Sequence, residues 1–241
     1  MTRLSVNINK VALIRNSRGE NKPDLIQFAK DCEEFGAQGI TVHPRPDERH
    51  IRYDDLAKLK SVVKTEFNIE GYPNRRFIDK VCEVKPHQVT LVPDPPGALT
   101  SSEGWDTKQH LTLLQEVITE FHANDIRVSI FLNADETLIE SAAKTGTDRV
   151  EFYTGLYAKN YMKDRNLAVE DHTNAAKMAY KMNLGVNAGH DLDLDNLSFY
   201  CQKVPNLLEV SIGHAIVSDA LYYGIQNVIS MYLHQINIKS I

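Results

Sequence analysis

The chain has 241 residues, a formal net charge of −5 and a pI near 6.0. With 42% apolar and 24% charged residues it reads as globular rather than disordered or fibrous, and without a basic excess a nucleic-acid backbone is not an expected partner. The N-terminus, "MTRLSVNINK", has no charged stretch leading into a long apolar run, and no later segment approaches an uninterrupted membrane span, so a cytoplasmic protein with no membrane partner is expected.

Runs of β-branched and apolar residues recur along the chain: "LSVNIN" (4–9), "GITVH" (39–43), "FNIEGY" (67–72), "QVTLVP" (88–93), "RVSIFLN" (127–133), "RVEFYTG" (149–155), "GVNAGH" (185–190) and "LEVSIGH" (208–214). Segments with helical spacing lie between them. In "PDLIQFAKDCEEFG" Pro23 suits a helix start, Leu25, Phe28, Ala29 and Cys32 share a face, and Gly36 suits the stop. "DETLIESAAKTG" opens on an acidic cap, and "VEDHTNAAKMAYKMNLG" places Ala175, Met178, Ala179 and Met182 on one side.

Eight strand and helix units without a linker predict one domain over 1–241: an α/β fold, a (β/α)8 TIM barrel with extra helices. An open doubly wound sheet is the alternative, but no G-x-G-x-x-G follows the first strand. Two segments exceed a bare barrel. Residues 93–109, rich in turn formers, are a candidate lid, and residues 215–236 read as one long helix whose apolar positions exceed a single stripe, as a subunit contact would require. Cys32, Cys82 and Cys201 are widely spaced and form no Cys-x-x-Cys pair, which predicts buried free thiols.

In such a barrel the chemistry sits at the C-terminal ends of the strands. Those ends carry Asn7, Asn9 and Lys10, then His43 and Arg45, Glu70, Glu151, His190 and Asp191, and finally Ser211, Gly213 and His214. Three histidines and two glutamates converging from five strands would be costly to bury without a purpose. Glu70, framed by apolar neighbours, is expected to have a raised pKa suited to proton transfer. "NAGH" and "SIGH" each bring a glycine beside a histidine, where backbone N–H groups and a helix N-terminus favour an anion. Arg18, Arg45 and His50 suggest a second anion site, with a solvated basic loop as the plain alternative. Acid–base chemistry on a phosphorylated small molecule is the leading reading; a metal-dependent hydrolase or lyase using His43, Glu70, His190 and His214, and a non-catalytic binder of phosphorylated metabolites, stay open. No zinc motif, G-x-S-x-G elbow or strand-end cysteine is present.

Together, "VNINKVALIRNSRG", "GITVHPRPDERHI", "NIEGY", "RVEFYTG", "VNAGH" and "SIGHAI" resemble the pyridoxine 5'-phosphate synthase family of deoxyxylulose-dependent vitamin B6 biosynthesis, in order and over nearly the whole chain. The resemblance implies condensation of 3-amino-2-oxopropyl phosphate with 1-deoxy-D-xylulose 5-phosphate to pyridoxine 5'-phosphate, phosphate and water, with no cofactor and no metal. By the family's pattern His43 and Glu70 accept protons, His190 donates one and Glu151 stabilises a transition state. Asn7, Arg18, Arg45, His50 and Thr100 match substrate-contacting positions, and Gly213 with His214 matches a phosphate site. A homo-octamer built from dimers is implied, with Arg18 reaching a neighbour's site. The sequence departs from the family where Asn9-Lys10 replaces a carboxylate and an imidazole, and where Asp191 replaces a glycine beside the phosphate.

Overall fold

The computed structural model describes residues 1–94 and 103–238. Eight parallel strands close into a barrel in sequence order: β1 (Arg3–Asn7), β2 (Gly39–Val42), β3 (Glu66–Gly71), β4 (Gln88–Leu91), β5 (Arg127–Leu132), β6 (Arg149–Tyr153), β7 (Gly185–Gly189) and β8 (Leu207–Ile212), with β8 pairing back onto β1. The predicted barrel is therefore the fold, and the open sheet is excluded.

The strands alternate. Leu4, Val6, Ile40, Val42, Phe67, Ile69, Val89, Leu91, Val128, Ile130, Val150, Phe152, Ala188 and Val210 are fully buried, with the helices packed over the strands. Burying each Val, Leu, Ile or Phe side chain is worth about 1.5–3 kcal/mol, so this layer is the main source of stability. The intervening positions are polar and bond across the barrel lumen. Glu66 on β3 meets Arg3 of β1 at 3.0 Å, Arg149 of β6 at 3.5 Å, and Arg127 of β5. Above it Asn68 accepts from Gln88 and Thr90 and donates to Thr41. Burial raises the Glu66 pKa, but Arg127, Arg149 and Arg3 more than offset it and hold the carboxyl below its ordinary value.

Eleven helices surround the barrel among the described residues, and three connections carry two each. α1 (Asn9–Asn16) precedes α2 (Leu25–Glu34) between β1 and β2. α3 (Tyr53–Val62), α4 (Arg75–Val84), α5 (Leu111–His122) and α6 (Glu136–Ala143) follow the next four strands; α7 (Gly155–Tyr161) and α8 (Arg165–Lys181) follow β6; α9 (Leu197–Lys203) follows β7; α10 (His214–Tyr223) and α11 (Ile225–Asn237) follow β8. Asp24, not Pro23, caps α2 by accepting the N–H groups of Ile26 and Gln27, while Asp135 caps α6 as expected.

The last helix differs from the sequence expectation. It is broken at Gly224, whose φ of 75° lies in the left-handed region, so α10 and α11 turn against one another. The excess apolar positions then divide: Val228, Ile229, Tyr232 and Ile236 pack inward, while Leu221, Tyr222 and Tyr223 are exposed. The "RVEFYTG" run also splits, since its strand ends at Tyr153 and Gly155 opens α7. Residues 95–102 of the lid segment proposed for 93–109 lie outside the described residues. Its far end is anchored by buried Trp105, which stacks on Tyr72 and meets the edge of His110.

Candidate active site at the C-terminal mouth of the barrel

A cavity of about 710 Å³ opens at the strand C-termini. It is lined by Asn7, Asn9 and Lys10 from the β1 end, His43, Arg45, Arg49 and His50 from the β2 loop, Glu70 from β3 and Glu151 from β6. His190, Asp191 and Asp193 after β7, and Ser211, Gly213 and His214 after β8, complete the wall. Thus all four candidate catalytic residues, His43, Glu70, Glu151 and His190, and eight of the ten outer contacts read from sequence share one cavity. Arg18 does not line it, being exposed on the segment after α1. Thr100 lies outside the described residues.

His43 and Glu70 form the centre. Nδ1 of His43 lies 3.9 Å from Oε2 of Glu70, and both side chains are nearly fully enclosed. Burial lowers the His43 pKa well below the usual imidazole value, aided by Arg45, His50 and Arg49. Burial raises the Glu70 pKa well above the usual carboxyl value, reinforced by Glu151 and Asp94 and opposed by Arg45. In both cases burial favours the uncharged form, leaving His43 with a lone pair to accept a proton beside a carboxyl that holds one more readily than a free glutamate does.

Asn7 and Asn9 position this pair. The backbone N–H of His43 donates to Oδ1 of Asn9 at 2.9 Å, Asn7 accepts from the Asn9 N–H at 3.1 Å, and its amide reaches Oε2 of Glu70 at 3.5 Å. The departure from a carboxylate at Asn9 therefore keeps an acceptor for the His43 backbone. Lys10, next along α1, adds a cation to the wall.

The cationic side of the cavity is Lys10, Arg45 and Arg49. His50 belongs to it by place but not by charge, because burial, Arg45, Arg49 and Lys10 push its pKa down to about 4. Its Nδ1 accepts the Ile51 N–H at 2.9 Å, which assigns the ring proton to Nε2 and makes it a neutral donor. The expected charge from His50 is supplied instead by Arg49, which the sequence did not single out; its guanidinium pairs with Asp47 at 2.8 Å while bordering the cavity. Asp94, at the end of β4, was also missed, although the strand-end rule applied to "LVPD" finds it. It is buried and accepts from Nη2 of Arg45 at 2.8 Å.

Across the cavity, burial raises the Glu151 pKa to about 7, with the Thr90 hydroxyl at 3.3 Å and His190 opposing. Gly189 and Gly213 serve proximity to side chains. A Cβ on Gly189 would stand 2.6 Å from Oε1 of Glu151, and one on Gly213 2.9 Å from the Asn7 carbonyl. Gly213 is also the N-cap of α10, so the positive end of that helix faces the mouth. Asp191 is turned toward His190, with Oδ2 3.0 Å from its Nδ1. Among the described residues no group of three or more His, Cys, Asp or Glu side chains is arranged to hold a metal ion, and no helix is long and apolar enough to cross a membrane.

The barrel resembles solved structures at low identity: 3-keto-L-gulonate-6-phosphate decarboxylase from Vibrio cholerae (TM-score 0.66, 6% identity, covering 98% of this chain and 97% of that one) and KGPDC from Streptococcus mutans (TM-score 0.64, 9% identity, 98% and 97%). That likeness concerns the fold alone. Sequence relatives are far more similar. The pyridoxine 5'-phosphate synthase of Flavobacterium johnsoniae is 56% identical over 236 residues, covering 98% of this chain and 100% of the relative, and that of Parabacteroides distasonis is 58% identical over 232 residues, covering 96% and 98%. The family model for "Pyridoxal phosphate biosynthesis protein PdxJ" matches residues 4–238, a span that takes in all eight strands save Arg3 of β1 and every cavity residue named above, and the chain belongs to that family.

Proposed function

We propose that the chain is a pyridoxine 5'-phosphate synthase, condensing 3-amino-2-oxopropyl phosphate with 1-deoxy-D-xylulose 5-phosphate to give pyridoxine 5'-phosphate, phosphate and water in vitamin B6 biosynthesis. The observation that carries the reading is the enclosed His43–Glu70 pair, with Glu151 and His190 in the same cavity and cations beside it. Forming an imine, eliminating phosphate and water and closing a ring require repeated proton transfers between carbon, nitrogen and oxygen. A set of proton-exchanging groups gathered in one enclosed cavity suits that task better than one strong nucleophile.

In this reading neutral His43 and ionised Glu70 accept protons, His190 returns one to a departing oxygen, and Glu151 stabilises positive charge developing on the condensing nitrogen. Lys10, Arg45 and Arg49, with the His50 donor, hold one phosphorylated substrate. Gly213, His214 and the start of α10 hold the phosphate of the other. Asn7 and Asn9 orient the central pair. Thr100 is assigned to substrate contact on the family pattern alone.

The working protein is assigned as a cytoplasmic homo-octamer of dimers. Exposed Arg18, which does not line its own cavity, is available to a neighbour's, and exposed Leu221, Tyr222 and Tyr223 offer apolar area for a subunit contact. Light scattering on the eluted protein tests the assembly.

The decisive assay mixes purified protein with both substrates and follows pyridoxine 5'-phosphate by absorbance and phosphate by a coupled reaction. Equal yields of both products are expected, and no product at any enzyme concentration overturns the reading.

A further inference from the structure

The turn after β7 places two consecutive non-glycine residues, His190 (φ 90°) and Asp191 (φ 54°), in the left-handed region. L-residues adopt this conformation at a cost, and it persists only where the surroundings hold it. Here they do. The Thr154 hydroxyl donates to the carbonyls of both Gly189 and His190, and the Asn196 amide donates to the Asp191 carbonyl at 3.1 Å. The strained pair brings the Asp191 carboxylate back onto its neighbour, with Oδ2 3.0 Å from Nδ1 of His190.

The imidazole is fixed on its other sides as well. The Tyr153 ring from β6 meets it edge-on, with centroids 5.1 Å apart. The charged and titratable groups around the pair are Glu151 and Tyr153 from β6 and His214 from α10. Tyr153 stays a neutral phenol, since burial and Asp191 both raise its pKa. The Asp191 carboxylate is half-exposed and held below its ordinary pKa by the contact with His190, so it remains an anion through neutral pH.

We propose that Asp191 is a positioning residue that determines which proton His190 gives up. This rests on the assignment of His190 as proton donor in the synthase reaction. With Nδ1 held against the carboxylate, Nε2 is the nitrogen left for substrate. In the donating step the Nε2–H bond breaks and its proton passes to the departing oxygen. The Nδ1–H bond stays intact beside Asp191, and the ring ends neutral with its lone pair on Nε2, ready to take up the next proton. Without the carboxylate the neutral ring is free to carry its proton on Nε2, and the imidazole can rotate about its side-chain bonds.

Asp191→Gly is the cleanest test, because glycine accepts a φ of 54° and removes only the side chain; Asp191→Asn keeps the shape and removes the charge. In ¹⁵N spectra of the substrate-free protein with the ring neutral, the wild type is expected to show the Nδ1–H tautomer, and Asp191→Gly to shift toward Nε2–H. In the assay kcat is expected to fall roughly ten- to a hundred-fold, the usual effect of losing such an orienting partner, while both KM values stay within about threefold. Asp191→Asn should fall between the two. An unchanged tautomer in Asp191→Gly, or a loss confined to KM, overturns the proposal. Absence of synthase activity in the wild type would sink the functional assignment alone, since the tautomer measurement needs no turnover.

Discussion

Nη2 of Arg45 lies 2.8 Å from Oδ2 of Asp94; both side chains are buried, and Arg45 lines the cavity. The pair joins the cationic wall to the acid–base centre, because Asp94 raises the Glu70 pKa while Arg45 lowers it. Asp94→Asn keeps an acceptor for Arg45 but removes the charge. The Glu70 pKa then falls, and as Glu70 works in its ionised form the rising, acidic limb of the kcat profile moves to lower pH. The KM for a phosphorylated substrate rises modestly, as Arg45 keeps its acceptor but loses the ionic part of its anchor. A pH–rate series on the variant checks both effects, and an acidic limb left in place would refute the coupling.

His43→Asn and Glu70→Gln each preserve size and polarity while abolishing proton exchange. Turnover in either variant is expected to fall by roughly 10²- to 10⁴-fold, the scale of general acid–base catalysis. Substrate binding, read by calorimetry, should be largely retained. Near-normal kcat in one variant would remove that residue from its role.

The barrel and the four central residues were legible in the sequence for one reason. A polar side chain at the end of an apolar run breaks the pattern, as at His43 after "GITV" and His190 after "VNAG", and in this fold such ends meet. The polar lumen was harder to read. Glu66, Asn68 and Thr90 alternate with apolar residues, as in any half-solvated strand, and only closure of the sheet shows that their polar side faces the barrel interior. Arg49 was not singled out because its place depends on its contacts with Asp47 in the folded loop. The break at Gly224 was available as a lone glycine in an apolar helix, but the continuous apolar run outweighed it.

The loop carrying Arg49 and His50 is clamped from α1. The Asn16 amide donates to the carbonyls of Arg49 and His50 at 3.1 and 2.7 Å, and Arg15, itself in a bidentate pair with Asp55 at 2.8 Å, also reaches the His50 carbonyl. Asn16 does not line the cavity. Asn16→Ala is therefore expected to raise the KM of a phosphorylated substrate several-fold with kcat nearly kept, and to cost about 1–3 kcal/mol of stability through the carbonyls it leaves. Michaelis kinetics and urea unfolding check the two parts, and a variant losing kcat alone would contradict the clamp.

Gly189→Ala introduces a single methyl, yet that carbon would lie 2.6 Å from Oε1 of Glu151 and 3.2 Å from the Ser211 carbonyl. The carboxylate is the softer neighbour and must move, disturbing its contact with Thr90. A fall in kcat of tenfold or more is expected, roughly 1.4 kcal/mol in transition-state stabilisation, with the fold intact by circular dichroism. Full activity would mean that Glu151 tolerates displacement and that its position is not critical.

Glu209 on β8 is buried, its Oε2 has no hydrogen-bond partner among the described residues, and burial, with Glu66 and Glu151 nearby, raises its pKa from 4.5 to about 8 despite Arg149 and Arg3. Between those two values the folded protein holds a proton that the unfolded chain has released. Stability therefore falls as pH rises from about 4.5 to about 8, at a limit of about 1.4 kcal/mol per pH unit for one group, and the loss is complete above the folded value. Glu209→Gln cannot ionise and is free of this penalty. Urea unfolding between pH 5 and 9 is expected to show a shallower decline for the variant than for the wild type, the two curves separating most on the alkaline side. Some slope should remain in the variant, because Glu70 and Glu151 are raised by the same burial. Parallel curves across the range would show that Glu209 does not change its protonation on unfolding.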